Sequence, residues 1–254
     1  MQLGDISIWG VVLVVLLTVA SLALFWVVDR RTLNHSLRFL LVGMVQTALA
    51  GAYVWGLYEL DSWFVNLLWL MLMAGITAYI TLGRVRLSMT RLMPIVSLAV
   101  FAGSAIMGGC MLLVVHTPSA NRLFVPIMGL LVGGLLQSSI LALRTYIISL
   151  RYTAAHRMYI QANGGTHLES LVPSIRRALR AALMPQLRNM TSPLFLTLPL
   201  LLCGMLIGGA NVVAATIVTL LMALSGFAAS VISAVLTLWL ADRVLFDRYG
   251  KLNM

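Results

Sequence analysis

Apolar residues occupy this chain in long blocks separated by short charged stretches. A helix crosses a bilayer with about 20 apolar residues, so block length is the first signal to read. Seven spans are predicted. The first covers Ile8 to Val28 and ends at DRRTLNHSLR; the second covers Phe39 to Tyr58 and ends at Glu59 and Asp61. The third runs from Trp63 to Leu82, ahead of RVRLSMTR, and the fourth from Pro94 to Val115. After the loop HTPSANR, the fifth runs from Phe124 to Leu150. Arg151 to Thr191 is the one long polar segment. A short sixth span, Leu194 to Ile207, leads into a turn at Gly208 to Asn211. A seventh runs from Val213 to Leu240 and continues as helix into ADRVLFDRYGKLNM.

Composition turns the pattern into a class. The chain is 61% apolar and only 9% charged, against about 45–50% and about 25% in soluble domains. One soluble core cannot hide that much apolar surface, and disordered chains are polar and charge-rich. The fold class is therefore all-α and polytopic, one transmembrane domain over residues 1–254. The net charge of +10 is read by position, as a record of orientation rather than of nucleic-acid binding. Alternate loops hold Arg30, Arg31 and Arg38; Arg84, Arg86 and Arg91; Arg151, Arg157, Arg176, Arg177, Arg180 and Arg188; and Arg243, Arg248 and Lys251. The opposite set holds only Arg122. Basic loops stay in the cytoplasm, so the N-terminus is expected outside, the C-terminus inside, and the number of spans odd. MQLGDISIWG has no basic residue before a long apolar run, so it reads as a retained span rather than a cleaved signal. The expected location is the bacterial inner or plasma membrane, multi-pass.

The spans carry little chemistry. Arg144 is the one clearly embedded charge, and it can snorkel to the surface. Ion-driven carriers and intramembrane proteases need ionisable groups inside the bilayer, and no GxxxxGK[ST] loop is present. No catalytic residue is expected, and energy for active transport must come from another polypeptide. Gln46, Asn66, Gln137, Ser138 and Ser139 are the polar candidates within spans, for a pathway or for interhelical hydrogen bonds. Met107, Cys110 and Met111 share a helical spacing, and Cys203 lies two residues before Met205. Thioethers and thiols suit soft ions, yet methionine also fills gaps between apolar helices, the commoner use; whether a metal binds is left open. Gly103, Gly108 and the Gly129/Gly133 pair are close-packing signals for internal packing or dimerisation.

The polar segment is the most informative. Gly164 and Gly165 end one helix. Thr166 and Glu169 form a T-x-x-E capping box that starts another. Leu168, Leu171, Val172, Ile175, Leu179, Ala182 and Leu183 follow at helical spacing, with Arg176, Arg177 and Arg180 largely on the other side. Pro173 predicts two short helices meeting there, and Pro185 an end or bend. Two readings fit: a basic amphipathic helix on anionic lipid, or a helix that docks a cytoplasmic motor.

Here the chain resembles the FetB-type permeases, half-size ABC transporter subunits linked to iron export and related to plant aluminium-tolerance transporters. The likeness is best from Asn121 to Tyr249. It lies in FVPIMGLLVG (Phe124 to Gly133), in Asn163-Gly164-Gly165-Thr166 with Arg177 to Pro185, in Leu198-Pro199, in Gly208-Gly209 and in LFDRYGKL. Gln46 and Gly51 match a further family element. Leu200, Leu201 and Leu202 stand where the family has Gly-Met-Met, and Ile76 and Gly134 where it has asparagines. The resemblance implies an exporter of iron or another metal; the poverty of polar groups in the spans suits an apolar or amphiphilic cargo instead, and the basic loop a lipid-binding scaffold, as alternatives. One chain offers too few helices for a full transport unit, so a homodimer is expected; the resemblance adds a separate ABC ATPase that binds ATP and magnesium while this chain holds no cofactor. The ATPase would dock on the loop through Gly164, Gly165, Thr166, Glu169, Arg176, Arg177, Arg180 and Pro185. Gln46, Gln137, Ser138, Pro199 and Met205 are the candidate substrate path.

Overall fold

The computed structural model describes residues 8–28, 30–86, 89–115, 120–191 and 199–246. The regular elements among them are helices: α1 (Ile8–Val28), α2 (Arg30–Leu60), α3 (Trp63–Val85), α4 (Met89–Val114), α5 (Ala120–Tyr152), α6 (Ala154–Ala162), α7 (His167–Thr191), α8 (Leu200–Ile207) and α9 (Val212–Leu245). Five of these, α2, α3, α4, α5 and α9, hold apolar stretches of 23 to 34 residues, long enough to cross a membrane. Helix α1 adds a shorter apolar stretch, Trp9–Leu22. The charged DRRTLNHSLR stretch is mostly helical: α2 starts at Arg30, well before Phe39.

Helices α3, α4, α5 and α9 make the core, and α7 packs across α5 and α9. Leu70, Val96, Leu135, Tyr146 and Ala229 lie at its centre, fully buried. α1 pairs with α2, which touches the rest only through α3 and α5. Small residues let the backbones approach. A Cβ on Gly103 would sit 2.9 Å from the Ala229 carbonyl oxygen, so α4 closes directly on α9. Gly108 leaves the space that the Met128 side chain fills. Around Gly133, by contrast, there is open space.

Direction follows from the polar contacts. Asn66 on α3 donates to the Asn121 carbonyl at 3.2 Å, and Asn121 donates to the Asp61 carbonyl at 3.4 Å. The starts of α3 and α5 thus lie side by side. At the opposite, basic end, Tyr146 on α5 donates to Asp242 on α9 at 3.4 Å. Helices α3, α5 and α9 therefore run the same way, and the chain must return between α5 and α9.

That return corrects the sixth span. Helix α8 has eight residues, about 12 Å at ~1.5 Å per residue, too short for a hydrocarbon layer of about 30 Å. Residues 192–198, which hold most of the rest of Leu194–Ile207, lie outside the described residues. Helix α7 supplies the missing length: Ser174 meets Ser149 near the basic end of α5, while Gln186 meets Ser230 midway along α9. The polar segment is thus no loop in its second half but part of the bundle.

A second correction concerns the prolines. Helix α7 is continuous through Pro173 and Pro185, where two short helices meeting at Pro173 were expected. Each proline removes one N–H and crowds the carbonyl four residues before it. Burial of Leu171, Ser174, Ala178 and Ala182 against neighbouring helices holds the axis together. The alanines Ala142, Ala182 and Ala234 meet where α5, α7 and α9 come closest.

Candidate functional site at the basic end of the bundle

The α6–α7 turn is built by two local motifs in succession. Gly164 has φ 84°, the left-handed region where glycine has no steric penalty. The Gly165 amide donates to the Ile160 carbonyl at 2.9 Å and the Gly164 amide to Gln161 at 3.1 Å, a Schellman closure. A Cβ on Gly165 would strike Ile160, so both glycines are needed. The expected capping box follows: the Thr166 amide donates to Glu169 Oε2 at 2.9 Å and the Glu169 amide to Thr166 Oγ1 at 3.3 Å. The Thr166 amide first, and its hydroxyl second, hold the Glu169 carboxyl below its ordinary pKa.

This turn is tied to two membrane helices. Ser149 donates to Ser174 at 3.1 Å. Thr153 gives its proton to the Ser149 carbonyl at 2.8 Å, so Ser174 is the donor across the 3.2 Å gap to Thr153. On the other side, His167 Nε2 lies 3.4 Å from Asp242 Oδ1, and His167 Nδ1 lies 3.3 Å from Gln161 Nε2. A neutral ring protonated on Nε2 satisfies both contacts, donating to Asp242 and accepting from Gln161. The His167 ring also meets the edge of Phe246 at 5.0 Å. Arg157 on α6 donates to the Leu150 carbonyl at 3.1 Å and covers Phe246 at 5.0 Å. Burial lowers its pKa, and the neighbouring Tyr146 and Asp242 pull it back up.

Beside this clamp, large apolar side chains stand exposed among polar ones such as His156, Gln161, Asn163 and Glu169. Tyr152 is 85% exposed and Met158 and Tyr159 are each 69% exposed, at the end of α5 and on α6. Leu168 joins them at the start of α7.

The predicted loop residues are placed as one unit but not all at its tip. Gly164, Gly165, Thr166 and Glu169 form the turn. Arg176, Arg177 and Arg180 lie exposed along α7, and Pro185 is half-buried within it. The predicted path residues are not gathered. Gln46 is exposed on α2 and Gln137 on α5; Ser138 is buried and donates to the Leu135 carbonyl at 3.0 Å. Pro199 caps α8 and Met205 is half-buried in it, and α8 packs on α9 but on neither α2 nor α5. Met111 is buried, Met107 half-buried and Cys110 exposed, so the three do not converge on one side. Among the described residues no three His, Cys, Asp or Glu side chains cluster as a metal site. The sequence reading missed Asp242, His167, Arg157 and Tyr146, whose partners are 75 to 96 positions away in two pairs; the lone carboxylate at the end of an apolar run was the available sign.

No curated protein and no solved structure matches the chain. The pattern of the Uncharacterised protein family (UPF0014) does match, over residues 8–246. That range takes in every helix from α1 to α9, and the chain belongs to this family as a membrane protein of several apolar helices.

Proposed function

We propose that this chain is the membrane-spanning permease subunit of an ABC transporter, with ATP and magnesium bound by a separate subunit. One observation carries the reading. The α6–α7 turn stands outside the spans, exposes Tyr152, Met158, Tyr159 and Leu168, and is joined to α5 through Ser149 and to α9 through Asp242. Large apolar side chains exposed at an end that lies beyond the spans suit a soluble partner, and a displacement of that end moves the two helices bonded to it together. Two copies of the chain would enclose the route, and the weakly attached α1–α2 pair supplies surface for that contact. Export of iron or another metal is what the FetB resemblance offers for cargo.

The motor and its coupling are tested together. Purification in mild detergent should retain an ABC ATPase. In the reconstituted complex, Asp242→Asn should cut transport-coupled hydrolysis severalfold while the ATPase still binds. A chain that retains no ATPase, or full coupling without the Asp242 charge, would overturn the assignment.

A further inference from the structure

Gln46 on α2 and Gln137 on α5 stand at one depth. Asn121 donates to the Asp61 carbonyl at 3.4 Å, so the end of α2 and the start of α5 share a level, opposite the basic end. Gln46 lies about 22 Å of helix from Asp61, and Gln137 about 24 Å from Asn121, at ~1.5 Å per residue. Half a bilayer, headgroups included, is about 20–22 Å, so both glutamines reach the midplane. From the basic side Gln46 is about 12 Å of helix beyond Arg38, further than a glutamine side chain spans. Both side chains are exposed, and neither has a hydrogen-bond partner among the described residues.

Their surroundings are alike. Gly43-Met44-Val45-Gln46 and Gly134-Leu135-Leu136-Gln137 repeat the order G-x-x-Q, which sets a glycine one turn from each carboxamide. A Cβ on Gly43 or on Gly133 would meet nothing, and one on Gly134 only the Gln186 Nε2 at 3.9 Å. Helix α2 touches the rest of the chain near its far end, where Val54 and Leu57 pack on the core and Tyr53 lies 6.0 Å from Trp69. Residues 44–49 are exposed on every side of the helix. Helix α5 is half buried, yet a stripe with Leu130, Gly133, Gln137 and Arg144 stays open.

Lipid tails offer a carboxamide nothing, whereas a second carboxamide both donates and accepts. Hydrogen bonds of this kind join membrane helices, and small residues let the backbones close. A two-fold axis along the membrane normal keeps each residue at its own depth in both copies. An axis beside α2 would pair Gln46 with itself and leave Gln137 unpaired, and an axis beside α5 would do the reverse. A crossed contact satisfies both, because in a two-fold interface residue i meets j while j meets i.

We propose that α2 of one copy lies against α5 of a second copy, with Gln46 of each bonded to Gln137 of the other. The two glutamines then serve the contact between copies rather than the substrate path. The inference rests on the permease reading for the need of two copies, but the pairing itself does not need the motor.

The test uses the full chain with Cys110 and Cys203 replaced by serine. Thr47→Cys is placed in one tagged copy and Gly133→Cys in a differently tagged one, so that both glutamines stay. Mild oxidation of membranes holding both copies should give a mixed disulfide dimer, at least fivefold more than either variant gives by itself. In phosphatidylcholine vesicles, energy transfer between labelled chains measures the dimer directly. Gln46→Leu and Gln137→Leu should each weaken it roughly sevenfold, because two symmetric contacts are lost at once. Both residues are exposed, so the melting of the single chain should not change. The double variant should fall no further than either single one, since the same contacts are removed. Losses that add, or disulfides formed only between like positions, would overturn the pairing. A chain that stays monomeric in the vesicles would overturn it as well. A monomeric chain that retains the ATPase would sink this contact and leave the permease reading standing; a crossed dimer that retains no ATPase would do the reverse.

Discussion

Thr166 and Glu169 satisfy each other's backbone amides in the first turn of α7, and that reciprocity has a pH signature. The Glu169 carboxyl titrates below the ordinary glutamate value in the folded chain, because the Thr166 amide and hydroxyl favour its charged form. Its contribution to the cap is complete above that value and is lost as pH falls through the lower, folded one. Hydrogen-exchange protection of the first α7 amides should therefore drop on acidification below the ordinary carboxylate range. Glu169→Gln should remove that pH dependence. Thr166→Ala should cost about 1 kcal/mol of helix stability at neutral pH, read as an approximately fivefold loss of protection. Undiminished protection in Thr166→Ala would mean that packing, not the cap, fixes the start of α7. These two residues were legible from spacing alone because a capping box is closed within four positions. His167 and Asp242 were not, because their meeting depends on where α7 lies across α9.

Gly103 and Gly133 look alike as small residues in apolar helices, and the packing separates them. A side chain on Gly103 meets the α9 backbone, whereas one on Gly133 meets nothing in the same chain. Gly103→Leu should lower the melting temperature in detergent, by a stability loss of about 1–3 kcal/mol as for other overpacked sites. Gly133→Ala should leave the single chain's melting unchanged. If the two substitutions melt alike, the close α4–α9 approach is wrong. The same distinction explains the misread prolines. Pattern rules treat Pro173 as a break because an isolated helix has nothing to offset the lost N–H. In α7 the buried side with Leu171, Ser174, Ala178 and Ala182 supplies that compensation from other helices. Helix ends drifted for a simpler reason. Hydropathy marks where a helix leaves lipid, not where its hydrogen bonds stop, so α2 extends back through polar residues to Arg30.

Across the molecule, the charge asymmetry of the loops predicts that the α6–α7 turn faces the cytoplasm and Asp61 the outside. With Cys110 and Cys203 replaced by serine, Asn163→Cys should react with an impermeant maleimide only from the cytoplasmic side, and Asp61→Cys only from outside. Labelling of both from one side would overturn the orientation and with it the docking surface.

Membership of the membrane class, the long spans, the capped turn and the basic amphipathic character of residues 167–183 are all written in local order. Apolar runs of bilayer length admit few alternatives, and a glycine pair followed by T-x-x-E closes through contacts a few positions apart. The role of α7 was not written there. The same amphipathic pattern fits a helix lying on lipid, docking on a motor, or entering the bundle. Its place was decided by long-range contacts: Gln186 with Ser230, Ser174 with Ser149, and the alanines of α5, α7 and α9. Those contacts form only when three helices assemble, because small side chains set how closely backbones approach without showing in the hydropathy of any one of them.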